Sequence, residues 1–365
     1  IDLAAEESVI EFLARSSKKA LIEFLYSSAG LAHPDSSIGG PNNSSPTLWY
    51  YNNKTYGVWK QRPGAGYNVS TMIFAFDHGT GIISASYLCN TGVVGGTDHH
   101  AYPAVIVADD GHIIVVREEL SGTGPGDHNS AMWINRSDNT EDESSWVNAL
   151  AHAADYWSEV GVTGAGDRRL SYPVLAKTTN GYLYLWARGA LNVVRIFQSQ
   201  DDGKSWNGFG TGETDGLVVM TLGGNWAYNS QIKHTTDTKL YMVVLPWDGV
   251  NQRTRVYFLW STDGVTWRNV DDSWSKNIST AGAITEAEAD ANLRVYDPGA
   301  PGVYYFNSGY IDDSGYPHML IARSDNVSDP LSDWFYSYYY WTGSEWLHNG
   351  LDIPDVSFAG STALL

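Results

Sequence analysis

The chain has 365 residues, with 41 acidic side chains against 22 Lys and Arg and a formal net charge of −19. That balance leaves no general basic footprint for nucleic acid, so any anionic polymer would need a local cationic site. Only 17% of residues are charged and 13% are aromatic, which argues against disorder. The 15 Trp, 23 Tyr and 37 Gly suit many short strands joined by tight turns.

Residues 2–28 carry the one helical pattern that stands out. Leu3, Ile10, Leu13, Leu21, Phe24 and Leu25 fall near a 3.6-residue period, with Asp2 as N-cap and Gly30 as stop. Residues 1–32 are therefore expected to form an N-terminal helical segment, and residues 33–365 a separate β domain. The segment either plugs one face of that domain or joins copies into a larger assembly. The oligomeric state is left open.

After His33, runs of β-formers alternate with Gly, Asn and Asp clusters: Thr47–Tyr51, Tyr56–Trp59, Thr71–Phe76, Gly81–Tyr87, Ala104–Val107 and His112–Arg117. Cys89 stands alone, so it excludes an internal disulfide and reads as a small buried hydrophobe. No apolar run reaches transmembrane length, and Glu6, Glu7 and Glu11 do not read as a secretory leader.

The chain also repeats. Tyr102-Pro103 leads through Val105 and Val107 to Asp110-Gly111 and a strand, and Tyr172-Pro173 leads through Val174 to Asn180-Gly181 and a strand. In both, Gly lies nine residues after Tyr. Looser copies start at Tyr228 and near Asp312-Asp313-Ser314-Gly315. Ser199–Trp206 fits the Asp-box pattern Ser-x-Asp-x-Gly-x-x-Trp, and Ser261–Trp267 is the same box one residue short. In such a box the Asp caps the turn, the Gly takes positive φ and the Trp packs between sheets. Repeated strand–turn–strand units predict an all-β fold, a β-propeller of seven blades.

Several residues of these repeats would converge at the propeller centre. His100 precedes Pro103, His128 sits in the Gly-rich loop 122–129, Tyr172 and Tyr228 begin repeats, and Arg188 follows Tyr172 by sixteen residues. Strand alternation lets Tyr172 and Arg188 face one pocket from adjacent strands. Taken singly, each has a bland explanation in packing or solvation. Together, a His–Tyr–Arg set suits β-elimination in a uronate polysaccharide. Arg holds the carboxylate, His titrates in the range of a base, and Tyr serves as acid, or as base beside a cation.

Two segments carry a resemblance. Asp98-His99-His100-Ala101-Tyr102-Pro103-Ala104 followed by Asp109-Asp110-Gly111-His112-Ile113 resembles a signature of the β-propeller polysaccharide lyases that include ulvan lyases. Ser171-Tyr172-Pro173 with Arg188-Gly189 resembles their second signature, and Tyr310–His318 a late segment of the same group. The resemblance implies His100 as base or acid with Tyr172 as its partner, and Arg188 neutralising the carboxylate. His128 would be a second pocket histidine and Tyr228 would position substrate. His99, one residue out of register, and Arg195 are lesser substrate-binding candidates. The partner implied is an acidic polysaccharide, with neither nucleic acid nor membrane.

No organic cofactor is required. Asp-rich turns could hold a structural calcium or zinc, but no metal site is expected, since the zinc ligands of some family members have no counterpart between residues 240 and 280. The expected location is secreted, extracellular or periplasmic, or a virion tail. Two other functions compete. The Asp boxes suggest a sialidase-like glycoside hydrolase, although Arg195-Ile196-Phe197 is a poor match to the Arg-Ile-Pro opening that chemistry wants. A non-catalytic glycan-binding propeller would use loop aromatics such as Trp49, Trp157, Trp226 and Trp247.

Overall fold

The computed structural model describes residues 48–61, 68–85, 87–88, 94–95, 103–120, 130–146, 171–189, 193–206, 216–223, 226–232, 238–247, 255–295, 303–324 and 334–354. The helical segment expected at residues 2–28, Cys89 and Trp157 lie outside them.

The described strands form five sheets in chain order. Sheet 1 takes β1 (Leu48–Tyr51), β2 (Lys54–Gln61), β3 (Asn68–Asp77) and β4 (Ile82–Ile83), with β5 (Tyr87–Leu88) and β6 (Val94–Gly95) also paired to β3. Sheet 2 is β7 (Ala104–Val107), β8 (His112–Leu120) and β9 (Ser130–Thr140). Sheet 3 is β10 (Ser171–Lys177), β11 (Leu183–Gly189), β12 (Val193–Ser199) and β13 (Leu217–Thr221), extended by β19 (Ile284–Thr285). Sheet 4 runs β14 (Trp226–Gln231), β15 (Leu240–Trp247), β16 (Tyr257–Ser261), β17 (Thr266–Arg268) and β18 (Ser275–Asn277). Sheet 5 is β20 (Val303–Ile311), β21 (Pro317–Ser324), β22 (Trp334–Trp341) and β23 (Trp346–Pro354). Every pairing is antiparallel except the short β13–β19 pair.

Side-chain alternation stacks these sheets. In β7 all four residues are buried: Ala104 and Ile106 join the core shared with sheet 3, while Val105 and Val107 join the core shared with sheet 1. In β11, Leu183 and Leu185 face sheet 2, while Tyr184 and Trp186 face sheet 4. In β15, Leu240, Met242 and Val244 face sheet 3, and Tyr241, Val243 and Leu245 face sheet 5. Sheets 2, 3 and 4 are thus apolar on both faces, which explains near-continuous hydrophobic runs in an antiparallel fold. Burial of each large side chain contributes about 1.5–3 kcal/mol.

Each boundary between sheets also receives a tryptophan from the later sheet of the pair. Trp146 enters the boundary of sheets 1 and 2, Trp206 that of sheets 2 and 3, and Trp267 that of sheets 3 and 4, while Trp346 packs against the core between sheets 4 and 5. Trp206 and Trp267 end the two Asp boxes. In the first box, Asp201 Oδ1 accepts from Ser205 N (2.8 Å) and from Ser199 Oγ (2.8 Å), and Ser199 Oγ accepts from Gly203 N (2.8 Å). In the second, Asp263 Oδ1 accepts from Val265 N (2.8 Å) and Thr266 N (2.7 Å), and the Trp267 indole donates to Gly264 O at 3.0 Å. Gly203 and Gly264 take φ of 78° and 73°. The boxes are structural devices that pin a turn and drive its Trp between sheets.

Three expectations need correction. The run Gly81–Tyr87 is broken, with strands at Ile82–Ile83 and Tyr87–Leu88 only. Trp49, Trp226 and Trp247 lie in strands β1, β14 and β15 rather than in loops. Helix also occurs within the β domain, as α1 (Ile278–Ala281) and α2 (Glu286–Asn292). Asn277 caps α1, and Thr285 with Glu288 forms a capping box on α2. Ile278, Ile284 and Ala289 of this segment are buried against the core between sheets 3 and 4.

Two predictions concern these turns. A methyl at Gly203 would lie 2.2 Å from Ile114 Cδ1, whereas one at Gly315 meets nothing within 4 Å, and both backbones are left-handed. Gly203→Ala is therefore expected to cost about 2–4 kcal/mol and Gly315→Ala only about 1–2 kcal/mol, read as shifts of the urea unfolding midpoint. Burial opposes the charge of Asp201, but hydrogen bonds from Ser205 and Ser199 outweigh it and hold the carboxyl below its ordinary value; Asp142 is held low first by the Ser144 hydroxyl. Groups depressed in the folded state add stability that is complete above the unfolded value of about 4 and is lost as pH falls through the folded values. Melting temperature should therefore fall below about pH 4, and Asp201→Asn should lower it at pH 7 while flattening that acid slope.

Candidate active site

The first strands of the sheets lie side by side, with contacts between β1 and β7, β7 and β10, and β10 and β14. Each runs from a starting end to a hairpin turn, so these strands have two separate ends. Tyr172 and Arg188 lie at the starting end of β10. Ser171 pairs with Arg188, and the register shifts before Val174 pairs with Trp186. At this bulge Tyr172 adopts φ 56°, a left-handed backbone uncommon outside glycine. Its side chain is buried, 3% exposed. The guanidinium carbon of Arg188 sits 4.6 Å from the Tyr172 ring centroid. Bulge and stacking together bring the phenol and the guanidinium to one place, and Arg188 Nη1 is buried there. A planar cation stacked on an aromatic face loses little freedom when it grips a carboxylate.

Arg195 does not join this pair. It lies on β12 opposite Ala187, so it shares the side of sheet 3 that faces sheet 2. Arg188 alternates with Ala187 and lies on the side toward sheet 4, with Trp186 and Tyr184. Gly189 keeps the Arg195 side close to the backbone, since a methyl there would lie 2.8 Å from Val193 Cγ2 and 3.4 Å from Arg195 Cδ. Tyr228 is the third residue of β14, paired through its backbone with Leu245, near the starting end of the neighbouring first strand. His99, His100 and His128 lie outside the described residues.

A second titratable cluster stands on sheet 5, near the β20–β21 turn. His318 Nε2 lies 3.2 Å from Asp312 Oδ2, and His318 Nδ1 lies 2.5 Å from the Tyr338 hydroxyl, itself 3.2 Å from the Tyr310 hydroxyl. Tyr310, His318 and Tyr340 pair in register across β20, β21 and β22 and stack with nearly parallel rings. Burial, then the neighbouring Tyr310, pushes the Tyr338 phenol well above its ordinary value, so it stays protonated. The sequence motif Tyr310–His318 carries no role for its residues, and it does not show this cluster, because Tyr338 is distant in sequence and enters only through strand pairing.

Among the described residues no group of three or more His, Cys, Asp and Glu is placed to hold a metal ion, and no helix is long and apolar enough to cross a membrane.

Comparison with known proteins bears on the fold. A solved structure of an ulvan lyase of polysaccharide lyase family PL25 aligns with a TM-score of 0.66 at 19% identity, covering 87% of this chain and 73% of that one. A PL25 ulvan lyase bound to -[GlcA(1-4)Rha3S]- aligns with a TM-score of 0.65, again at 19% identity and with the same coverage of both chains. Polysaccharide lyase Uly1 aligns at 0.57 and 15% identity, over 84% of this chain and 72% of that one. At these identities the likeness is one of fold. No curated protein matches the chain. The BNR repeat-containing family matches residues 48–352, which span all five sheets, and the chain belongs to that family.

Proposed function

We propose that this protein is a polysaccharide lyase that cleaves a uronate-containing glycan by β-elimination. The observation that carries the reading is the Tyr172–Arg188 pair, a half-buried guanidinium stacked on a buried tyrosine at the starting end of a first strand in a fold like that of ulvan lyases. Arg188 binds the uronate carboxylate and neutralises it, which lowers the cost of carbanion character at C5. A base removes the C5 proton, the electron pair forms the C4–C5 double bond, and the C4–O bond breaks. An acid returns a proton to the departing glycosidic oxygen. Tyr172 and His100 divide the two proton transfers, with either as the base. His128 and Tyr228 assist, and His99 and Arg195 are lesser substrate contacts.

The same proposal takes the five sheets as consecutive blades of a propeller. Closure at seven blades needs two sheets beyond those described. It also places the protein where such glycans occur, secreted, extracellular or periplasmic, or on a virion tail.

Elimination leaves a conjugated double bond that absorbs in the ultraviolet, so absorbance is followed with a panel of uronate polysaccharides, ulvan first. The expected outcome is a rise that drops by about 100-fold or more in Tyr172→Phe and in Arg188→Ala. A flat trace with new reducing ends would point to a hydrolase, and a flat trace without them to a glycan-binding protein.

The charge of −19 makes a further prediction. Long-range repulsion of a polyanion is strong when the Debye length is about 30 Å, at 0.01 M salt, and weak when it is about 8 Å, at 0.15 M. KM for the polymer should therefore fall over that range while kcat stays level.

A further inference from the structure

The opposite ends of the first strands, where they turn, enclose a pocket of about 370 Å³. Four sheets contribute to it: Trp49, Tyr50 and Tyr51 from β1, Asp109 from the β7–β8 turn, Lys177 from the end of β10 and Lys239 from the approach to β15. Lys177 and Tyr172 are five residues apart on β10, roughly 15 Å of strand, while Trp186 of the pocket wall lies two residues from Arg188 on β11. The size is at the low end of small-ligand sites, enough for one or two sugar rings.

The lining suits a particular chemistry. Tyr50 is 60% exposed, and its ring is braced edge-on against His78 at 5.5 Å. An aromatic face of this kind meets the C–H edge of a pyranose. The Tyr51 hydroxyl donates to Asp109 O at 3.3 Å, and burial, then Glu141 and Asp109, raises its pKa, so it stays a neutral phenol. Lys177 Nζ pairs with Asp109 Oδ1 and donates to Val107 O at 3.2 Å. One of its three N–H groups is thus uncommitted among the described residues. The Asp109 side chain is 58% exposed and can accept sugar hydroxyls. Lys239 Nζ is held 4.4 Å from the Trp260 ring centroid. On the wall, Trp186 is fully buried and its indole N–H has no hydrogen-bond partner among the described residues. Lys177 and Lys239 bring two ammonium groups, and Asp109 a carboxylate, to the described lining of this pocket in a chain of net charge −19.

We propose that this pocket is a second saccharide site, which takes one anionic sugar unit at the turn end of the first strands, away from Tyr172 and Arg188. That the ligand is a sugar rests partly on the polysaccharide reading above; the aromatic and cationic lining does not. Such a site would hold a neighbouring stretch of polymer while another is cut.

The test uses isothermal titration of the full chain with methyl β-D-glucuronide, glucose 6-sulfate, methyl β-D-glucoside and inorganic sulfate. Arg188→Ala removes the carboxylate contact of the proposed catalytic pair, and this variant should still bind at least one of the two anionic sugars, so that the pocket variants are compared in its background. Tyr50→Ala and Lys239→Gln, checked for folding by circular dichroism, should each weaken that binding at least tenfold. The glucoside and inorganic sulfate should bind at least tenfold more weakly than the anionic sugar. Loss of sugar binding in Arg188→Ala, or unchanged binding in both pocket variants, would overturn the inference. So would inorganic sulfate binding as tightly as the sugar. Binding is read apart from activity: flat ultraviolet traces with intact binding sink only the lyase, and elimination without binding sinks only the second site.

Discussion

The packing of apolar sheet faces against one another is the constraint on which the rest of the structure depends. Antiparallel sheets commonly keep one face in water, but sheets 2, 3 and 4 bury both. A strand such as β7, with all four residues buried, has no side chain left for chemistry. Polar and titratable side chains are therefore displaced to strand ends and turns, where the alternation stops. Tyr172 illustrates this. It stands where the β10 register slips, and its ring stacks against Arg188 from the next strand.

The stacking also explains the work done by the turns. An Asp box costs backbone freedom, and its internal hydrogen bonds offset that cost while committing a tryptophan to the boundary between sheets. Trp206 and Trp267 are delivered in this way. Trp146 and Trp346 reach equivalent boundaries from turns that lack the full motif. In the first of these, Asp142 accepts from Ser144 N at 2.9 Å, and the Trp146 indole donates to Glu143 O at 2.6 Å. The same physical device is thus made from different residues, because what a boundary requires is a buried indole and a satisfied turn.

Charge is organised on the same scaffold. The chain is strongly acidic, yet its cations are not spread evenly. Arg255 and Arg294 are tied to Glu286 and Asp290 beside the helices, and Arg136 to Asp110 at a hairpin turn. Arg188 at one end of the first strands, and Lys177 and Lys239 at the other, hold positive charge against aromatic rings.

Much of the fold was legible because its signals are local. The runs of β-formers, Gly in left-handed turns and the two Asp boxes each occupy fewer than a dozen residues, and all but the broken Gly81–Tyr87 run fold as the residues suggest. The capping box Thr285-Glu286-Ala287-Glu288 was equally local, but seven residues of helix are too few to show a 3.6 period amid strands. Of the candidate site, the Tyr–Arg spacing was legible, since two neighbouring strands of a hairpin bring such residues together whatever surrounds them. Sequence by itself determined the strand-and-turn texture, the boxes and that one contact. Only the tertiary structure decided that Arg195 lies across sheet 3 from Arg188, that Tyr338 meets His318, and that Tyr50, Asp109, Lys177 and Lys239 share a pocket. Those outcomes depend on which face a strand presents and which sheet lies beside it, and a one-residue change of register reverses the first without altering the local pattern.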